Sequence, residues 1–206
     1  MSVTVLDHPL AHHLLTCLRD ETTEPEAFRT YAKRLTTLLV LEATKDAPTA
    51  EVEVQTPLEK FVGQKLEKGI AAVPILRAGL AMLEPVVELF PDVKVGYIGL
   101  ERNDETAMAR SYYEKLPKLE GRFTLCLDPM LATGGSAAQA ISFMKSKLAG
   151  TIVMVCVVAA PQGVENLLLH HPEVRIVTAS IDRDLNAKKY ILPGFGDFGD
   201  RLYGTF

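Results

Sequence analysis

Cysteine is scarce in this chain. Three occur in 206 residues, Cys17, Cys126 and Cys156, widely spaced and without a CxxC pair, which argues against a disulfide framework. Cys126 and Cys156 fall in apolar, strand-like runs, so both are expected as buried, inert thiols. Histidines are few as well: His8 and the pairs His12–His13 and His170–His171. Neighbouring histidines point to different sides of a helix, so neither pair makes a metal clamp. Excess basic charge is missing too. A formal charge of −4 and a pI near 5.8 give no general attraction to nucleic acid or to an anionic membrane. No apolar stretch reaches the length of a membrane span, and the N-terminus lacks the basic-then-apolar order of a signal peptide. Cytoplasmic residence is the expectation. The commoner loop signatures are absent from residues 122–136: that segment holds no GxxxxGK[ST], no GxGxxG and no GxSxG.

What remains is most informative at residues 122–136, RFTLCLDPMLATGGS. The apolar run from Phe123 to Leu127 reads as a buried strand that delivers Asp128 at its carboxyl end. Gly134 and Gly135 then lead through Ser136 into a helical pattern ending near Leu148. Free N–H groups at such a helix start attract an anion, and the carboxylate can accept hydrogen bonds from sugar hydroxyls. The glycines allow positive φ and close approach of backbone to an oxygen. The spacing therefore predicts a phosphate-sugar cradle, although a strand, a glycine turn and a helix also occur where the chain merely turns.

Hydrophobic content of 48% and charged content of 23% fit one globular domain over residues 1–206. Short helices are predicted over Pro9–Arg19 and Glu26–Glu42, the latter from apolar spacings of three and four. EVEVQTP at 51–57 alternates as an edge strand does. From Gly69 onward, apolar strands (69–75, 93–100, 123–127, 151–160, 174–181) alternate with helices (79–90, 136–148, 162–170). This predicts an α/β fold with a mostly parallel sheet and helices on both faces. Ligands bind such sheets beyond the carboxyl ends of the strands, where Arg77, Arg102, Asp128 and Pro161 would share one rim.

Two further motifs stand beside DPMLATGGS in a fixed order: VPILRAGL before it and YILPGFGDFGD near the C-terminus. Together, and from DHPL at 7–10 to RLYGT at 201–205, they resemble the uracil phosphoribosyltransferases, a type I phosphoribosyltransferase family. The resemblance implies that fold, with a small hood built from N- and C-terminal segments and residues 186–206 forming its uracil-binding part. It implies transfer of phosphoribose from phosphoribosyl pyrophosphate (PRPP) to uracil, giving UMP and pyrophosphate. Two other readings are a phosphoribosyltransferase for another base, such as a purine, which would lack GFGDFGD, and a regulatory protein of the same fold that binds UMP or PRPP and controls gene expression. The regulatory protein should carry a basic face, which the acidic composition does not suggest.

By resemblance, Arg77 and Arg102 hold pyrophosphate, and the 101–117 stretch closes over the site to keep water from the reacting carbon. Asp128, with Arg77 and Asp197, would be catalytic. Pro129, Met130, Leu131, Ala132, Thr133, Gly134, Gly135, Ser136 and Asp197 would complete the PRPP site. Ile191, Gly196, Asp197 and Phe198 would contact uracil. The second acid common after such an aspartate is here Pro129, so Mg²⁺ is expected to ride mainly on PRPP, with no protein metal cage. Other departures are Glu101, where an aromatic is common, Ala109–Arg110 in place of a proline-containing stretch, Phe198, where alanine is frequent, and Lys189, where glycine is usual. A homodimer or homotetramer is implied; the residues leave open whether GTP acts as an effector.

Overall fold

The computed structural model describes residues 2–102 and 109–205. The chain opens with strand β1 (Val3–Val5) and helices α1 (Pro9–Arg19) and α2 (Pro25–Thr44). Proline occupies the first turn of each helix, where its missing N–H costs nothing. The hairpin β2 (Thr49–Gln55) and β3 (Lys60–Leu66) follows. Next come β4 (Ile70–Leu76), a 3₁₀ turn (Ala78–Met82), α3 (Leu83–Leu89), β5 (Lys94–Val95), β6 (Tyr97–Arg102) and β7 (Ala109–Lys115). Then follow β8 (Phe123–Leu127), β9 (Met130–Leu131), α4 (Gly135–Ser146), β10 (Ile152–Ala159), α5 (Pro161–His170) and β11 (Arg175–Ile181). The short pair β12 (Asp184–Leu185) and β13 (Ile191–Leu192) leads to α6 (Phe198–Tyr203).

The main sheet runs β1-β11-β10-β8-β4-β6-β7, with β5 beside β4 and β9 beside β10. Its pairings are parallel except β6 with β7. Side-chain alternation explains the continuous apolar strands. Val153, Val155 and Val157 of β10 join Leu14, Phe28, Leu35 and Leu39 on the face covered by α1 and α2. Met154 and Cys156 join Ile141, Met144 and Leu167 on the face covered by α4 and α5. A strand buried on both faces has no position left for a polar residue.

The site's place follows from the connections. From β4 the chain crosses by α3 to β6 on one side; from β8 it crosses by α4 to β10 on the other. The reversal between β4 and β8 opens a crevice at their carboxyl ends. Pro74 pairs with Leu127 there, so Arg77 and Asp128 emerge at one rim.

β9, β12, β13 and α6 carried no expectation, and β7 takes residues 109–115 of the expected cover into an antiparallel pair with β6. Besides these, three elements differ from the sequence expectation. The helix over 79–90 divides into a 3₁₀ turn and α3, because the chain at Gly79 passes hard against β8. A Cβ at Gly79 would lie 2.2 Å from the Leu127 carbonyl oxygen. The strand over 93–100 breaks at Gly96, whose N–H turns to the Ala72 carbonyl at 3.0 Å. The third, β3, went unread because its residues are mostly exposed, as in a two-stranded ribbon outside the core.

The buried thiols are as expected. Cys126 and Cys156 are fully enclosed, and burial raises both, Cys156 to about 12.

Candidate active site

The phosphate cradle is built on β10. Val157 and Val158 donate their N–H groups to the Pro129 carbonyl at 3.0 and 3.1 Å, and Ala160 donates to Leu131 at 2.9 Å. The stretch after Asp128 is thus pinned as β9 and does not wander as a loop. Gly134 then takes φ 79° and caps α4 with no side-chain acceptor for the helix's first N–H groups. A twelve-residue helix whose leading amides lack a protein cap presents donors and the positive dipole end to a ligand.

Two residues outside the sequence reading hold this cradle from α5. Asn166 donates its Nδ2 hydrogen to the Thr133 carbonyl at 2.7 Å. Gly163 lets α5 approach: a Cβ there would sit 2.4 Å from the Leu131 oxygen and 2.6 Å from the Ala132 oxygen. Both contacts are to backbone, and the Leu131 oxygen already accepts from the Ala160 N–H, so neither can yield cheaply. Gly163→Ala is expected to cost about 1–3 kcal/mol of stability by overpacking and to weaken PRPP binding, as read by thermal melting and by titration with PRPP.

Two cavities meet at the cradle. The smaller, about 90 Å³, is lined by Asp128, Met130–Thr133, Gly134, Ser136 and Ala137. The larger, about 300 Å³, shares Asp128, Met130 and Ala132 and continues to Val158, Lys188–Ile191 and Gly194–Asp197. The central turn and the C-terminal segment, read separately from the sequence, thus adjoin one space. Asp128 stands at the junction. Burial among β8, β9 and β10 pushes its carboxyl up to about 7, against which the Met130 N–H, 3.4 Å away, is a weak counterweight.

The other candidate residues fall into place unevenly. Asp197 caps α6, its Oδ1 accepting from the Asp200 N–H at 2.9 Å, and also borders the larger cavity. Ile191 and Gly196 line that cavity, Gly196 with φ 79°. The Phe198 side chain does not. It is fully buried against Phe28 and Phe195, with ring centroids 5.2 and 5.5 Å away, so a contact from residue 198 to a base runs through its main chain. Lys189 adopts φ 66°, a left-handed conformation that explains why glycine suits this position. Arg77 is exposed at the end of β4, beside the rim but outside both cavities. Arg102 ends β6, and its side chain, with residues 103–108 of the proposed cover, lies outside the described residues.

The mostly parallel sheet with this crossover has the fold of the type I phosphoribosyltransferases. Consistent with that fold, the hypoxanthine phosphoribosyltransferase of Staphylococcus aureus superposes with a TM-score of 0.50 at 12% identity, covering 77% of each chain. A uracil phosphoribosyltransferase family model matches residues 5–205. The uracil phosphoribosyltransferase of Dictyoglomus thermophilum is 50% identical over 205 residues, 98% of this chain and 99% of that one. The solved AQ2163 protein of Aquifex aeolicus has a TM-score of 0.93 at 40% identity, covering 98% of this chain and 97% of that one.

The chain belongs to the uracil phosphoribosyltransferase family. Its activity is that of a pentosyltransferase of pyrimidine salvage, and the regulatory reading is not favoured.

Proposed function

We propose that the joined cavities are where uracil and PRPP meet. The amides of Gly134–Ser136 take the 5′-phosphate, Asp128 accepts from the ribose hydroxyls, Arg77 faces the pyrophosphate and the main chain of 191–197 reads the base. The N1–C1′ bond of UMP forms as the bond from C1′ to the pyrophosphate oxygen breaks, and uracil N1 gives up its proton. The ribose carbon carries oxocarbenium character in between. Positioning and charge stabilisation do most of the catalytic work in such a step. The supporting observation is that the cavity holding the glycine turn and the cavity under the C-terminal segment share Asp128, Met130 and Ala132.

The donor set fits an ion brought by the substrate. Asp128 is followed by the buried Pro129, so the strand end offers one carboxylate, which suits Mg²⁺ held through PRPP oxygens and water. When bound, the ion neutralises charge on the departing pyrophosphate. The hydrogen bonds of the described residues leave the Gly196 N–H and C=O and the Asp197 N–H without a protein partner. Uracil offers matching acceptors and an N3–H donor. Cytosine carries an amino group where uracil has a carbonyl, and would leave a buried group unpaired.

The same reading takes residues 186–206 as a hood on a single domain and the protein as a homodimer or homotetramer. Exposed Leu58, Phe61 and Val62 of the β2–β3 hairpin supply apolar surface for the latter. Residence in the cytoplasm also belongs to it; no helix among the described residues is long and apolar enough to cross a membrane. The test is UMP formation from uracil and PRPP with magnesium, with and without GTP. Turnover with uracil far above that with cytosine is expected; turnover of a purine in place of uracil would refute the proposed base site. A rate increase with GTP would establish the effector.

A further inference from the structure

The base-reading segment does not hold its own shape. Gly194, its hinge, takes φ 55°, and a Cβ there would lie 2.2 Å from the Ile191 carbonyl oxygen. Both of its backbone polar groups are gripped by residues from distant parts of the chain. Asp182, just beyond β11, accepts the Gly194 N–H on Oδ2 at 2.9 Å. Arg19, the last residue of α1, donates Nη1 to the Gly194 carbonyl at 2.8 Å and to Asp182 Oδ2 at 2.8 Å, while its Nη2 reaches Asp182 Oδ1 at 2.6 Å. Ser180 adds a hydroxyl to Asp182 Oδ1 at 2.7 Å. The ion pair and the peptide thus form one closed ring of hydrogen bonds.

This ring is enclosed. The Asp182 side chain is 2% exposed and that of Arg19 24%. Burial alone would raise the Asp182 carboxyl, but the Arg19 and Ser180 hydrogen bonds and the Gly194 N–H outweigh it and hold it below the usual range. A second arginine continues the grip: Arg201, buried over the Phe28 ring, donates to the Phe195 carbonyl at 3.0 Å. Successive carbonyls at 194 and 195 are therefore committed to arginines, and Gly196 is the first residue past this hinge whose N–H and C=O both lack a partner among the described residues.

We propose that Arg19 and Asp182 are positioning residues for base recognition: their ion pair clamps the Gly194 peptide and so fixes the orientation in which Gly196 and Asp197 meet the pyrimidine. This rests on the proposed base site. A recognition surface made of backbone groups is only as selective as it is rigid, because a small misplacement lets a wrong base find partners. An ordinary structural ion pair could sit anywhere on the fold; apart from the Ser180 hydroxyl on Asp182, this one spends its side-chain hydrogen bonds on the hinge of the proposed reading segment and on itself. A lysine at position 19 would keep the charge but lose the planar fork needed to reach Gly194 and both carboxylate oxygens together.

The experiment compares wild type with Arg19→Lys and Asp182→Asn, measuring KM for uracil, KM for PRPP, the uracil-to-cytosine ratio of kcat/KM and the melting temperature. Expected is a rise of about ten- to hundredfold in KM for uracil and a comparable fall in discrimination, with KM for PRPP changed less than about threefold. Equal losses toward both substrates, or an unchanged ratio in a folded variant, would overturn the clamp. Should Asp182→Asn fail to fold, Arg19→Lys decides alone, since its side chain is the more exposed of the pair. Hydrogen exchange on the wild type separates the two readings. Uracil protection of the 194–197 amides with no effect of the variants refutes only the clamp; absence of that protection refutes the base site itself.

Discussion

Arg77→Ala is expected to lower kcat by about 10²–10³-fold, the loss typical when one preorganised charge partner of the transition state is removed. The fold should be untouched. Arg77 is exposed and enters none of the ion pairs among the described residues, so its removal leaves no buried group stranded. Its value lies in place. Gly79, two residues on, holds the following turn against the Leu127 carbonyl, which fixes the rim beside Asp128. An uncompensated guanidinium there would meet pyrophosphate oxygens as a planar two-pronged donor. Arg77→Lys should recover only part of the rate, because a point charge lacks that geometry. Steady-state kinetics with both substrates, set beside melting curves, checks this. Wild-type turnover in the alanine variant would remove Arg77 from the mechanism.

Asp128→Asn is expected to have opposite effects on function and stability. Burial raises the carboxyl from 3.8 to about 7, so the native protein keeps this proton to a pH at which the unfolded chain has already lost it. The resulting stabilisation is complete below about pH 4 and drains away as pH rises through 7. At pH 8 the native site carries an ionised, poorly solvated carboxylate. Asparagine removes that burden and should raise stability there by about 2–3 kcal/mol, or several degrees of Tm, an advantage that disappears near pH 4. The gain is less than the full shift because the half-buried side chain borders two cavities and keeps part of its solvation. The same change should weaken PRPP at least tenfold, because a neutral amide accepts less strongly from ribose hydroxyls. Uracil binding should change far less.

Wild-type kcat/KM for PRPP should accordingly climb through an apparent pKa near 7, as the acceptor ionises. The asparagine variant should lack that limb even though PRPP's own phosphates titrate in both proteins. Such a trade of stability for function is common where a site stores an unfavourable charge. A variant that is less stable than wild type at pH 8, or that loses both substrates equally, would contradict the role given to Asp128.

Local signals carried much of this in the sequence. The parallel sheet was legible because β4, β8 and β10 are apolar at nearly every position, a pattern that only double coverage explains. Asp128 and the Gly134–Gly135 pair were legible because a strand end, a carboxylate and a helix start follow one another within the chain. Supports arriving from far away were not. Asn166 and Gly163 brace the cradle from the next helix, and in the sequence each is an ordinary helical residue. Arg19 and Asp182 are separated by 163 positions and carry no motif. The C-terminal segment was half legible. Its glycines marked a backbone-built site, but nothing local marks Phe198 as a core residue against Phe28. That packing also makes truncation before Ile191 a poor probe of base binding, since it would strip Phe198 and Leu202 from the main core.

Everything functional rests on the union of the two cavities at Asp128. A crystal structure with uracil and a non-reactive PRPP analogue tests it most directly. The 5′-phosphate should lie on the amides of Gly134–Ser136, with the pyrimidine against the main chain of Gly196 and Asp197. A pyrimidine bound elsewhere, for instance in the groove of about 270 Å³ beside Arg29 and Lys33, or a phosphate away from the glycine turn, would contradict it.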